Sequence, residues 1–206
     1  MNRLSSISKQ LIILLSWSLF FTASGVFSQA NQEDLLLKEI KTLQGEDFFI
    51  KSNDLAEIYL GKQPIKAQDY AEELLLNKSI ENFPEEHARS YYIKGRAISL
   101  QGKYNESLIE FDKALTIFNQ LKDENAIAKC LIGKGIAYTY IGKYDESRAA
   151  LTQALNLNIE NDIEAGIALA YHELGYLEYS LRNLSESIKY YIKSITICED
   201  IDDKKL

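Results

Sequence analysis

The sequence predicts an all-α solenoid of helix–turn–helix repeats, and three observations carry that prediction. One set of residue types recurs at a spacing of 40. Chain breakers are scarce, with 2 Pro in 206 residues. Leu, Ala, Ile, Lys and Glu, which lose little on entering a helix, dominate the body of the chain. Apolar residues make up 46% of the sequence, enough to build a core and to exclude a wholly disordered chain.

Residues 1–30 read as a secretory signal. Arg3 and Lys9 form a positive start, residues 11–21 (LIILLSWSLFF) an apolar stretch, and Ser28 and Ala30 place small residues where a signal peptidase cuts. The rival reading is an uncleaved membrane anchor. The apolar run over 11–27 is interrupted by Thr22, three Ser and Gly25, and it falls short of the roughly 20 residues a spanning helix needs. Export to the periplasm of a Gram-negative cell, or secretion, is therefore expected, and no Cys follows to carry a lipid. Cleavage removes Arg3 and Lys9 and no acid, moving the net charge from −7 to −9. Such a surface repels phosphate backbones and anionic lipid, so nucleic-acid binding is excluded. Membrane contact is excluded too, unless residues 1–30 remain as an anchor.

Residues 31–83 form an N-terminal helical region. The pattern predicts one helix over 32–43 with Leu36, Ile40 and Leu43 on one face. It then predicts a degenerate helix pair over 48–59 and 65–76, with Gly61 and Pro64 in the turn between them. Ala67, Ala71 and Leu74 lie 40 residues ahead of Ser107, Phe111 and Ala114.

Residues 84–206 hold three clear repeats, about 84–123, 124–163 and 164–203. Gly95, Gly135 and Gly175 share one phase, as do Glu106-Ser107, Glu146-Ser147 and Glu186-Ser187. The turn Gly102-Lys103-Tyr104 returns as Gly142-Lys143-Tyr144 and as Arg182-Asn183-Leu184. Between 90–119 and 130–159, 10 of 30 positions are identical. In the first repeat helices are expected over 86–100 and 105–120. The turn glycine should take a left-handed helix cap, and Asn105, Asp145 and Ser185 are candidate N-caps. A Gly inside a helix costs about 1 kcal/mol relative to Ala, so three at one phase predict a close approach of two helix backbones.

These positions resemble the tetratricopeptide repeat. The first copy matches that motif at Tyr91, Lys94-Gly95, Ile98, Ser107, Phe111 and Ala114. The second matches at Leu131, Lys134-Gly135, Tyr138, Ser147, Leu151 and Ala154. The third matches at Tyr171, Leu174-Gly175, Ser187 and Tyr191, and departs at Glu178 and Ser194, where Tyr179 is a candidate for the missing aromatic. The family's usual period is about 34, so this is a long-period variant, with about a turn and a half added per repeat. The resemblance implies a right-handed solenoid that binds a protein or peptide in a concave groove lined by the first helix of each repeat. Its usual inward positions fall on Arg89, Tyr92, Arg96 and Ser99, on Lys129, Ile132, Ile136, Thr139 and Tyr140, and on Leu169, His172, Tyr176 and Tyr179. That set is basic and tyrosine-rich, which implies a peptide with an acidic group.

Nothing in the sequence carries catalysis. His87 and His172 stand apart from any second ligand at metal spacing, and no phosphate loop or nucleophile motif occurs. No enzyme activity, metal or cofactor is expected. Cys130 and Cys198 read as small buried residues, and Glu85-Glu86 and Asp202-Asp203 as solvated helix ends. A further repeat would begin near position 208, just beyond Leu206. The expectation is therefore an exported binding scaffold or, alternatively, the extracytoplasmic sensor segment of a longer membrane signalling protein (a kinase, cyclase or transcription regulator).

Overall fold

The computed structural model describes residues 33–203, so the segment read as a signal lies outside it. The chain divides into one unit up to residue 44 and a second from residue 45. The first holds a helix, α1, over 33–40. It stops three residues before the expected end, where Thr42 and Leu43 turn back onto Glu39 and Ile40.

The second unit is an all-α solenoid, with no strand among the described residues. Its helices are α2 (Gly45–Leu60), α3 (Pro64–Leu76), α4 (Pro84–Leu100), α5 (Tyr104–Leu121), α6 (Glu124–Tyr140), α7 (Tyr144–Glu160), α8 (Glu164–Ser180) and α9 (Leu184–Asp203). A 3-10 turn over Lys78–Asn82 joins α3 to α4. Both α4, α6, α8 and α5, α7, α9 start at strict intervals of 40 residues.

The turns explain that regularity. Gly102 and Gly142 sit at φ +79° and +78°, and Arg182 takes the same left-handed conformation in the third copy. One residue on, the amides of Lys103, Lys143 and Asn183 return to the carbonyls of Ile98, Tyr138 and Glu178, closing each helix end as a Schellman motif. The junctions between repeats close likewise, with Lys122 and Asp162 left-handed. The expected N-caps are corrected. Asn105 and Asp145 lie inside the first turns of α5 and α7, whose caps, Lys103 and Lys143, offer no side-chain bond. Asp123 does cap, accepting from the Ala126 amide at 2.9 Å at the start of α6.

The in-phase glycines do mark close helix packing, but a side chain occupies the space. A Cβ on Gly95 would meet the Phe111 ring at 3.0 Å, one on Gly135 the Leu151 side chain at 2.5 Å, and one on Gly175 the Tyr191 ring at 3.0 Å. The paired helices then lie near enough for Ser147 and Ser187 to donate to the carbonyls of Gly135 and Gly175, each at 2.8 Å. Gly133 adds a contact the sequence did not flag, since its Cβ would stand 2.5 Å from Phe111 Cζ.

Three further expectations fail. Cys198 is exposed, while Cys130 is buried and its thiol is pushed up to about 12 by burial. Glu178 is buried on α8, where Arg148 of α7 and Asn183 donate to it. Tyr179 is exposed and does not replace it. Glu86 is buried in a polar cluster instead of solvated at a helix end.

Candidate functional site: the inner face of the first helices

Neighbouring first helices touch one another, α2 with α4, α4 with α6 and α6 with α8, whereas among the described residues α3, α5, α7 and α9 make no such lateral contacts. The layer of first helices is therefore the inside of the curve, and its surface is the concave face. A pocket of about 260 Å³ opens between α2, α4 and α6. Glu57, Glu85, Glu86, Arg89, Tyr92, Phe118, Asp123, Ala126 and Lys129 line it.

The pocket wall is built from residues far apart in sequence. Asn53 donates to the Glu86 carboxylate at 2.7 Å and to the Glu86 carbonyl at 3.1 Å. Ser90 closes the cluster by donating to Asn53 Oδ1 at 2.9 Å. Burial pushes the Glu86 carboxyl up, against the Asn53 bond and the Arg89 charge. Arg89 reaches Asp54 at 2.7 Å, Glu57 at 3.1 Å and Glu86 at 3.7 Å. Burial acts to lower the Arg89 pKa, but the bonds to Glu57 and Asp54 outweigh it and hold the guanidinium charged.

This arrangement changes the charge expected of the groove. Arg89 is engaged by three carboxylates and is not free for a ligand. The lining sets Glu57, Glu85, Glu86 and Asp123 against Arg89 and Lys129, so its field is acidic where the sequence implied a basic one. Exposed Glu85 and exposed Lys129 make no ion pair among the described residues.

The other candidate positions separate into four groups. Ile132 is buried in the core, and Ile136 is half-buried against it. Tyr92 and His172 lean on the second helices, with ring centroids 6.2 Å from Phe111 and 5.4 Å from Tyr191. Arg96 is exposed and stands over the Tyr92 ring at 5.7 Å.

Tyr140, Tyr176 and Tyr179 come together in a row across α6 and α8, with centroids 5.5 and 6.5 Å apart. Tyr104, at the start of α5, extends this row by stacking on Tyr140 at 4.6 Å and 4°. Sequence reasoning missed Tyr104 because it belongs to a second helix; its recurrence as Tyr144 was the available signal. Hydrogen bonding with Tyr176, together with burial, pushes the Tyr140 hydroxyl up to about 12. Among the described residues no His, Cys, Asp and Glu group is arranged to hold a metal, and no helix is long and apolar enough to cross a membrane.

Comparison with known proteins places this geometry. Tetratricopeptide repeat signatures match residues 86–160 and 167–201, together more than half of the chain. Response regulator aspartate phosphatase I of Bacillus subtilis (strain 168) is 24% identical over 164 residues, covering 79% of this chain and 41% of that protein. Among solved structures, the apo form of RapI matches 74% of this chain and 43% of its own, with 21% identity and a TM-score of 0.61. The TPR domain of Arabidopsis FLU matches 57% of this chain and 98% of its own, at 23% identity and a TM-score of 0.53. The chain thus spans less than half the length of the Bacillus relative and of RapI. With three copies in strict 40-residue register, an inner layer of first helices and these matches, the chain belongs to the tetratricopeptide repeat family, a family of protein-interaction scaffolds.

Proposed function

We propose that the chain is an exported scaffold that holds an extended segment of a partner protein along its concave face. The observation that carries this reading is the pocket between α2, α4 and α6, which has a charged rim and an aromatic floor of Tyr92 and Phe118. The excess of carboxylates favours a cationic group on the partner at this point, and the tyrosine row offers rigid contact area at low entropy cost. Glu85→Lys and Lys129→Glu change exposed rim charges that make no ion pair among the described residues. Peptides selected by the native chain from a random library should be Lys- or Arg-rich. They should bind Glu85→Lys about tenfold more weakly, and Lys129→Glu no more weakly than the native chain, as expected for complementary charge. Equal affinity across native and Glu85→Lys chains would remove the pocket from the binding face.

A second reading makes the same surface the extracytoplasmic input of a longer signalling protein. The Bacillus relative supports it through its name, which ties that protein to a response regulator. Both readings rest on export of the chain after cleavage beyond Ala30. Mass spectrometry of the chain from its native cell should find Asn31 as first residue; an intact chain retained in the cytosol sinks both.

A further inference from the structure

We infer that the partner segment is bipartite. It carries an Arg or Lys for the pocket between α2, α4 and α6 and, about five residues away, an aromatic side chain for the tyrosines at the far end of α6. This rests on the reading of the pocket as part of the binding face, and it adds what the partner carries and at what spacing.

Helix α6 holds both anchors on one side. Lys129 lies on the pocket rim, and Tyr140 is the last residue of the helix. They are eleven residues apart, which is about three turns, so they project from the same side at a separation of about 16 Å along the axis. Between them that side carries the buried Ile132 and the half-buried Ile136, and no charge. Helix α6 has α4 on one flank and α8 on the other. Tyr140 is still 52% exposed, so its freedom is a property of the inner face within the solenoid. The pocket is likewise interior, with α4 flanked by α2 and α6.

The two ends ask for different chemistry. At the pocket, Glu57, Glu85, Glu86 and Asp123 outnumber Arg89 and Lys129, and Arg89 is already held by three carboxylates. A guanidinium or ammonium group complements that field, and the Tyr92 ring in the wall favours a cation as well. At the other end Tyr104 stacks on Tyr140 at 4.6 Å and 4°, with Tyr176 at 5.5 Å. Stacked rings present their edges, the positive part of the aromatic quadrupole, which take the face of a further ring.

The spacing follows from the distance. An extended chain advances about 3.3 Å per residue, so about 16 Å is spanned by about five residues. Its side chains alternate between two faces, so both anchors face the groove at an even spacing, about four or six residues.

Gly/Ser peptides that carry one Arg and one Trp, titrated against the native chain by fluorescence anisotropy of an attached dye, test this. Peptides with the pair four or six residues apart should bind at least about tenfold more tightly than a peptide with the pair adjacent, or one with Arg alone, the size of one good aromatic contact. Tyr140→Ala should abolish that gain and leave the Arg-only peptide unaffected. Glu85→Lys should weaken every peptide. Equal affinity at all spacings overturns the inference, and this arm uses the native chain, so it does not depend on how a variant folds. A gain that survives Tyr140→Ala overturns it too. If Glu85→Lys weakens all the peptides while spacing and Tyr140 have no effect, the pocket reading stands and the bipartite one falls. If Glu85→Lys weakens none, both fall.

Discussion

Replacing Phe111 with Ala is expected to cost about 3–5 kcal/mol, the range for truncating a fully buried Phe. The ring is completely buried and belongs to two repeat units at once. One edge lies on Gly95 of its own repeat and the other on Gly133 of the next. Its loss removes packing within the α4–α5 hairpin and across the α5–α6 junction together. A solenoid is stable as a sum of units and neighbour contacts, so the junction should also lose cooperativity. Urea unfolding followed by circular dichroism should show a lower midpoint and a smaller m value than the native chain. Tyr191→Ala is the internal control. Tyr191 occupies the same phase in the third copy but is half-buried, with no following helix among the described residues, and its truncation should cost about 1 kcal/mol. Gly133→Ala sharpens the point. Ala gains about 1 kcal/mol in helix propensity, yet its Cβ would stand 2.5 Å from a ring that Gly95 prevents from retreating. Net destabilisation is expected, and a net gain would show that Phe111 is not wedged as described.

The repeats were legible because each is specified locally, by small residues at one phase and a left-handed turn at another. Gly95, Gly135 and Gly175, and Ser107, Ser147 and Ser187, announce themselves by period alone. What a glycine receives is set by the facing helix, which is why the ring on Gly95 and Gly133 needed the structure. The site was less legible for the same reason. Periodicity places Arg89, Tyr92, Ile132 and His172 on first helices, but whether such a residue faces the groove or the second helix depends on supercoiling. Ile132 went to the core, and Tyr92 and His172 lean toward the second helices. The charge of the groove depended on Asp54 and Glu57, which lie in the degenerate N-terminal pair where the motif is weakest. Of the four tyrosines that stand in a row, Tyr140, Tyr176 and Tyr179 share the first-helix pattern while Tyr104 does not.

Arg89→Ala carries the second large effect, and it separates a structural cation from a ligand-binding one. Removing one partner of a buried ion pair costs about 3–5 kcal/mol because the other charge is stranded. Here Asp54 and Glu57 remain partly solvated, so about 2–3 kcal/mol is expected. Most of it comes from buried Glu86, which Asn53 alone would then serve. The pH dependence identifies the stranded group. Burial already raises the Glu86 carboxyl, and loss of the Arg89 charge raises it further. A carboxyl whose pKa is higher in the folded than in the unfolded state binds its proton more tightly when folded. Its contribution to stability therefore improves as pH falls toward its folded value. The Arg89→Ala deficit should shrink from neutral to about pH 5, and Glu86→Gln added to Arg89→Ala should recover part of the loss and flatten that dependence. Chemical denaturation at the two pH values measures both effects. A loss under about 1 kcal/mol with no pH dependence, the size of an ordinary exposed ion pair, would mean that Arg89 is available after all to meet the partner in the groove.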